Sequence, residues 1–223
     1  MATDLDGTLL GGSDEQRTTL RQALVGLGDR AIVIFVTGRS LETVRPLLSD
    51  PLVPTPSYII ADVGATIART PDLCPVQPLQ SEIDRRWPGT SVVTKALASF
   101  SCLTRQSVPQ ERRCSFFIDD AGDLTPAICD TVESLGCELL FSLNRYLDVL
   151  PSGVSKGKTL RALVDTVGLP IEKLVVCGDT LNDESMYALP CPGIVVGGAE
   201  PALAERVATR ESVIVSREPG AAG

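Results

Sequence analysis

Three short runs in this chain, at 31–36, 58–61 and 174–177, contain no charged or strongly polar residue. A strand with one wet face alternates polar and apolar residues, whereas an uninterrupted apolar run of this length is buried on both faces. Such strands belong to a parallel sheet covered by helices, and the segments between them fit. Ser13 and Gln16 form a capping box. The helix they start carries Leu20, Leu24 and Leu27 and runs out at the glycines 26 and 28. Ser40 is placed to cap a second helix after the run at 31–36. The expected fold class is α/β, a doubly wound, mostly parallel sheet.

From about residue 70 the pattern changes. Prolines 71, 75 and 78 read as a linker. Helical stretches follow near 82–87 and 91–100, then strand-like runs at 102–108 and 114–118. A helix opens at Thr125 with Pro126 in its first position, and two further strands follow at 138–143 and 146–150. These elements predict an α+β insert over 75–148, interrupting a core made of 1–74 and 149–223. The core resumes with a helix over 156–167, capped by Ser155, and with strands at 174–177, 193–196 and 212–215.

What the chain contains narrows its chemistry. It has no histidine, which removes Ser-His-Asp catalysis and every His-ligated metal. Its seven cysteines form no Cys-x-x-Cys pair, and none has an arginine six places on, so they read as reduced, buried thiols. A net charge of −8 and a pI near 4.6 argue against nucleic acid or an anionic membrane as partner. No apolar run has the length of a membrane span, and no basic-then-apolar leader opens the sequence, so the expected location is cytoplasmic. Catalysis is left to carboxylates, hydroxyls and cations.

The carboxylates stand at strand ends. Asp4 and Asp6 lie one residue apart before Gly7 and Thr8, and two charges so close call for a cation or a shared proton. Magnesium would suit them, with Asp4 as nucleophile and Asp6 handling protons. A plain Asp-Gly turn is the competing reading of those residues alone. Thr37-Gly38-Arg39, Asp62 and Gly178-Asp179 end three other strands. Ligands bind beyond the carboxyl ends of parallel strands, so these segments converge on one rim. Lys156 opens a helix whose dipole disfavours it there, which is reasonable if it faces an anion; Lys158 reads as surface. Residues 153–159 imitate a nucleotide-binding phosphate loop but have one residue too few between the glycines.

Taken together, Asp4-x-Asp6-Gly-Thr, Thr37-Gly-Arg, the helix-opening Lys156 and Gly178-Asp179-x-x-Asn182-Asp183 resemble the four motifs of haloacid-dehalogenase-type phosphatases. Residues 61–67, 147–151 and 176–180 are similar to the sucrose-phosphatase branch, which also includes phosphatases for glucosylglycerol phosphate. The resemblance implies a Rossmann-like core with a substrate-selecting cap and hydrolysis of a sugar phosphate through an aspartyl-phosphate. It implies magnesium on Asp4, the Asp6 carbonyl, Asp179 and Asp183, and a phosphate held by Thr37, Gly38, Lys156 and Asn182. Sugar recognition needs polar side chains, and at least one of the cap residues Arg113, Asn144 and Arg145 is expected to face the core pocket. They stand where sucrose phosphatases have a lysine and a Gly-Lys-Asp-like run, which points away from sucrose phosphate itself. The expected state is a monomer acting on a small molecule. The alternatives are a phosphosugar mutase and a non-catalytic sensor associated with a glycosyltransferase.

Overall fold

A computed structural model describes residues 1–223. Its main sheet has eight strands. In chain order they are β1 (Ala2–Thr3), β2 (Ile34–Val36), β3 (Tyr58–Ala61), β4 (Thr66–Arg69), β5 (Cys74–Pro75), β10 (Val176–Gly178), β11 (Gly193–Gly197) and β12 (Val213–Pro219). A second sheet contains β6 (Leu103–Arg105), β7 (Cys114–Ile118), β8 (Cys137–Ser142) and β9 (Tyr146–Pro151). The main sheet runs β12-β11-β10-β1-β2-β3-β4-β5 and is parallel except at the pairs β3-β4 and β4-β5, where β4 is reversed.

The apolar runs are explained by what covers them. Ile34, Val36 and Ile60 point to one face. They pack there with Ile83 of α3 (Leu79–Arg86), Leu160, Leu163 and Val164 of α6 (Lys156–Val167), Met186 of α7 (Glu184–Tyr187) and Leu203 of α8 (Pro201–Val207). Val33, Phe35, Ile59 and Ala61 point to the other, under α1 (Asp14–Leu27) and α2 (Leu41–Val44). The Ser13 capping box forms, and Ser40 and Ser155 cap α2 and α6 as their positions predict.

The second sheet is antiparallel, in order β6-β7-β9-β8. Cys114, Phe116, Leu147 and Val149 face α4 (Thr90–Leu97) and α5 (Pro126–Ser134) in a separate small core. Alternation then sends Ser115 and Asp148, paired across β7 and β9, to the opposite face, toward the rim of the main sheet. No helix is long and apolar enough to cross a membrane.

Two expectations are corrected. The proline-rich stretch is not only a linker. β4 extends the main sheet antiparallel to β3, β5 turns back antiparallel to β4, and Pro75 is tolerated because β5 is the edge. The helix near 82–87 starts at Leu79 and packs on the main sheet, because Gln80 is buried and holds Ile67 N–H and the Ala65 carbonyl.

Candidate active site

β1 lies between β2 and β10, with Thr3 level with Phe35 and Cys177, so Asp4, Thr37 and Asp179 leave their strands at one level. After Asp4 the chain makes one wide turn, in which Leu9 N–H reaches the Asp4 carbonyl and Leu10 N–H the Leu5 carbonyl. Gly7 permits it. Its φ is +80°, and a Cβ there would lie 2.1 Å from Asp179 Oδ2. Thr8 Oγ1 donates to Asp179 Oδ1 at 2.9 Å, so the first turn positions the late carboxylate.

Lys156 is fully buried, and its Nζ lies 2.6 Å from both Asp4 Oδ1 and Asp183 Oδ1. α6 is held for this by Thr159, which donates to the Gly64 carbonyl at 2.9 Å. Gly64 has φ +110°, and a Cβ there would strike the Ser155 carbonyl at 2.6 Å, so the corner after β3 lies directly against the start of α6. Lys158 is exposed and pairs with Glu138. Asp183 is buried and uses its other oxygen to accept the N–H groups of Asp179 and Thr180.

Oxygens of Asp4, Asp179 and Asp183 lie within 4.8 Å of one another. Burial, and then the neighbouring carboxylates against the pull of Lys156, raise Asp4 to about 8. Burial and Asp183 raise Asp179 to about 6. Lys156 is held above its ordinary value, because Asp183 and Asp4 outweigh the burial that would lower it. Two of the three carboxylates thus share one ammonium. The donors are all oxygens, which suits a hard divalent cation such as magnesium and gives zinc nothing it prefers.

Asp6 is exposed, and the Arg39 guanidinium grips it with Nε at 2.8 Å and Nη2 at 2.5 Å. Thr37 is buried, and its Oγ1 accepts Arg39 N–H at 3.1 Å, which leaves its own proton free to donate. A cavity of about 310 Å³ opens over these groups, lined on the core side by Asp4, Asp6, Gly38 and Asn182. The Asn182 Oδ1 is buried without a partner.

The other wall comes from the second sheet and includes Arg113, Ser142, Leu143, Tyr146 and Asp148. Arg113 is buried, with Nη1 3.4 Å from Asp148 Oδ1 and Nε 3.6 Å from Asp62 Oδ1, and so bridges the two sheets. Asn144 and Arg145 are not brought to the cavity. Asn144 sits in the exposed hairpin turn, and the Arg145 guanidinium stacks over the Phe117 ring at 4.7 Å. Ser142, Tyr146 and Asp148 escaped sequence reasoning. Alternation along β9 was the available signal, since Tyr146 and Asp148 flank the inward Leu147.

The family model for sucrose-6F-phosphate phosphohydrolase matches residues 1–223. The glucosylglycerol-phosphate synthase of Pseudomonas anguilliseptica is 47% identical over 215 residues, which are 96% of this chain and 28% of that protein. The chain therefore spans under a third of that relative's length. The mannosylfructose-phosphate phosphatase of Agrobacterium fabrum is 29% identical over 220 residues, 91% of this chain and 84% of that one. Among solved structures, the sucrose-phosphatase of Synechocystis sp., in complex with sucrose and phosphate, superposes with a TM-score of 0.85. That match covers 99% of this chain and 92% of the other at 22% identity, a likeness of fold.

Proposed function

The chain belongs to the sucrose-6F-phosphate phosphohydrolase family, a haloacid-dehalogenase-type family of phosphoric monoester hydrolases, and from that membership we propose that it releases phosphate from a phosphorylated glycoside. Glucosylglycerol phosphate is the first candidate, because the synthase named for that compound shares 47% identity with this chain. The observation that carries the reading is the buried Lys156 between Asp4 and Asp183, beneath a cavity whose other wall is polar. The insert over 75–148, or at least its second sheet, is the part proposed to select the sugar.

Lys156 occupies Asp4 Oδ1, so Asp4 Oδ2 is the oxygen left to attack phosphorus and form the aspartyl-phosphate. Thr37 Oγ1–H, the Gly38 N–H, Lys156 and Asn182 hold the phosphoryl oxygens. Asp6 protonates the leaving sugar oxygen and later takes a proton from the attacking water. To do so it must leave the Arg39 fork, which engages both of its oxygens. Asp4, the Asp6 carbonyl and Asp179 would hold a magnesium ion directly. Asp183, with both oxygens engaged, would act through water. When bound, the ion supplies positive charge to the phosphoryl oxygens.

A phosphate-release screen over glucosylglycerol phosphate, mannosylfructose phosphate and sucrose 6-phosphate tests this. Free phosphate should appear with magnesium and stop with a chelator. An isomeric sugar phosphate without free phosphate would make the chain a mutase, and full turnover in excess chelator would remove the metal from the account.

Gly7→Ala offers a separate check on the site. Its Cβ would displace the Asp179 carboxylate, so magnesium affinity should fall by roughly 10- to 100-fold, as when the support of a metal ligand is lost. The shift of the unfolding midpoint with added magnesium measures this without turnover. A variant stabilised by magnesium like the parent would show that Asp179 is not a ligand.

A further inference from the structure

The hairpin between β8 and β9 hangs over the cavity, and its tip is strained. Leu143 and Asn144 both have φ +50°, a turn that Asn-Gly pairs adopt readily and leucine does not. A left-handed conformation is disfavoured for leucine, and such strain persists where surrounding contacts enforce it. One contact does so from outside the hairpin. Glu200, just before α8, accepts Leu143 N–H on Oε1 at 3.3 Å.

The other oxygen of the same carboxylate, Oε2, accepts Leu181 N–H at 2.8 Å, and Glu200 N–H donates to the Asp179 carbonyl at 2.7 Å. Glu200 therefore grips the loop carrying Asp179 and Asp183 at two points and the hairpin tip at a third. It occupies the N-cap position of α8 but makes no side-chain cap there; its carboxylate is turned to these two amides instead. Leu181 N–H opens a short 3-10 turn and has no partner within it, so the carboxylate meets a need on each side.

We propose that Glu200 is a positioning residue that clamps the hairpin tip to the loop bearing Asp179 and Asp183, and so fixes Ser142 and Leu143 over the substrate. This deepens the phosphatase reading and rests on it, because a fixed cavity wall matters only for a substrate that extends beyond its phosphate. The clamp acts on the glycoside part. A small aryl phosphate fills only the floor of the cavity and does not touch the hairpin.

The test compares Glu200→Ala and Glu200→Gln with the parent, using amide hydrogen exchange at Leu143 and turnover of glucosylglycerol phosphate and of an aryl phosphate. A hydrogen bond to a charged acceptor is worth enough that Leu143 exchange should quicken by roughly tenfold or more in Glu200→Ala. The kcat/KM for the glycoside phosphate should fall by roughly 10- to 100-fold, chiefly through KM, and that for the aryl phosphate by a few-fold at most. Glu200→Gln is isosteric and keeps one carbonyl acceptor, so it should fall between. Unchanged exchange at Leu143, or equal losses on both substrates, would overturn the clamp. If the parent released phosphate from neither ester, the phosphatase reading would fail, and exchange at Leu143 would still decide whether Glu200 holds the tip.

Discussion

Replacing Asp4 with asparagine should lower phosphate release by roughly 10³ or more while leaving the fold intact. The amide keeps the shape of the carboxylate and can still accept from Lys156, but it has no nucleophilic oxygen. The same substitution should not destabilise the protein at neutral pH. Asp4 is held up to about 8 by burial and by Asp183 and Asp179, so the folded state resists its charge, and a neutral amide removes that resistance. An inactive variant with an unchanged or raised melting temperature is the expected outcome. A tenth of the parent's turnover in the pure variant would show that Asp4 is not the nucleophile.

Lys156→Met should be the most damaging single change to stability. It leaves Asp4 and Asp183 buried without their cation, and breaking a buried pair from one side costs about 3–5 kcal/mol. The pH dependence has a definite sign. Lys156 is raised above its unfolded value, so its stabilisation is fully present below that value and fades only in strong alkali. Asp4 and Asp179, raised to about 8 and about 6, bind protons more tightly folded than unfolded. Without the lysine, acidification from about pH 8 to about pH 5 should therefore restore part of the lost stability by neutralising them. Urea unfolding at the two pH values measures this. Parent-like stability of the variant at the higher pH would refute the ion-pair account of the site.

The gathering of the core residues was readable because their positions are set locally. Asp4, Thr37, Lys156, Asp179 and Asp183 sit at ends of elements whose limits are marked by apolar runs and caps, and parallel topology then gathers them. β4 was not readable, since Thr66–Arg69 is too short to show a period and pairs by tertiary contact with β3. Nor were the long-range partners of charged groups. Nothing in spacing joins Arg39 to Asp6, Arg113 to Asp62, or Glu200 to Leu143, because such pairs depend on how two separated backbones are placed. Of the three cap residues only Arg113 reaches the cavity, because the turn that carries Asn144 faces solvent and the Phe117 ring takes the Arg145 guanidinium.

The central position of β1 has a consequence for how this chain acquires its structure. Ala2 pairs with Ile34 on one side and with Val176 on the other, while the second sheet is built from strands close together in sequence. Pairings between near neighbours form early because little loop entropy opposes them, and distant ones form late. During synthesis the inserted sheet can complete itself while the middle of the main sheet waits for residues beyond 170. The exposed edge of β1 is the hazard of that interval: the strand that delivers Asp4 precedes the other strands of its sheet, yet it is enclosed only once β10 has been made.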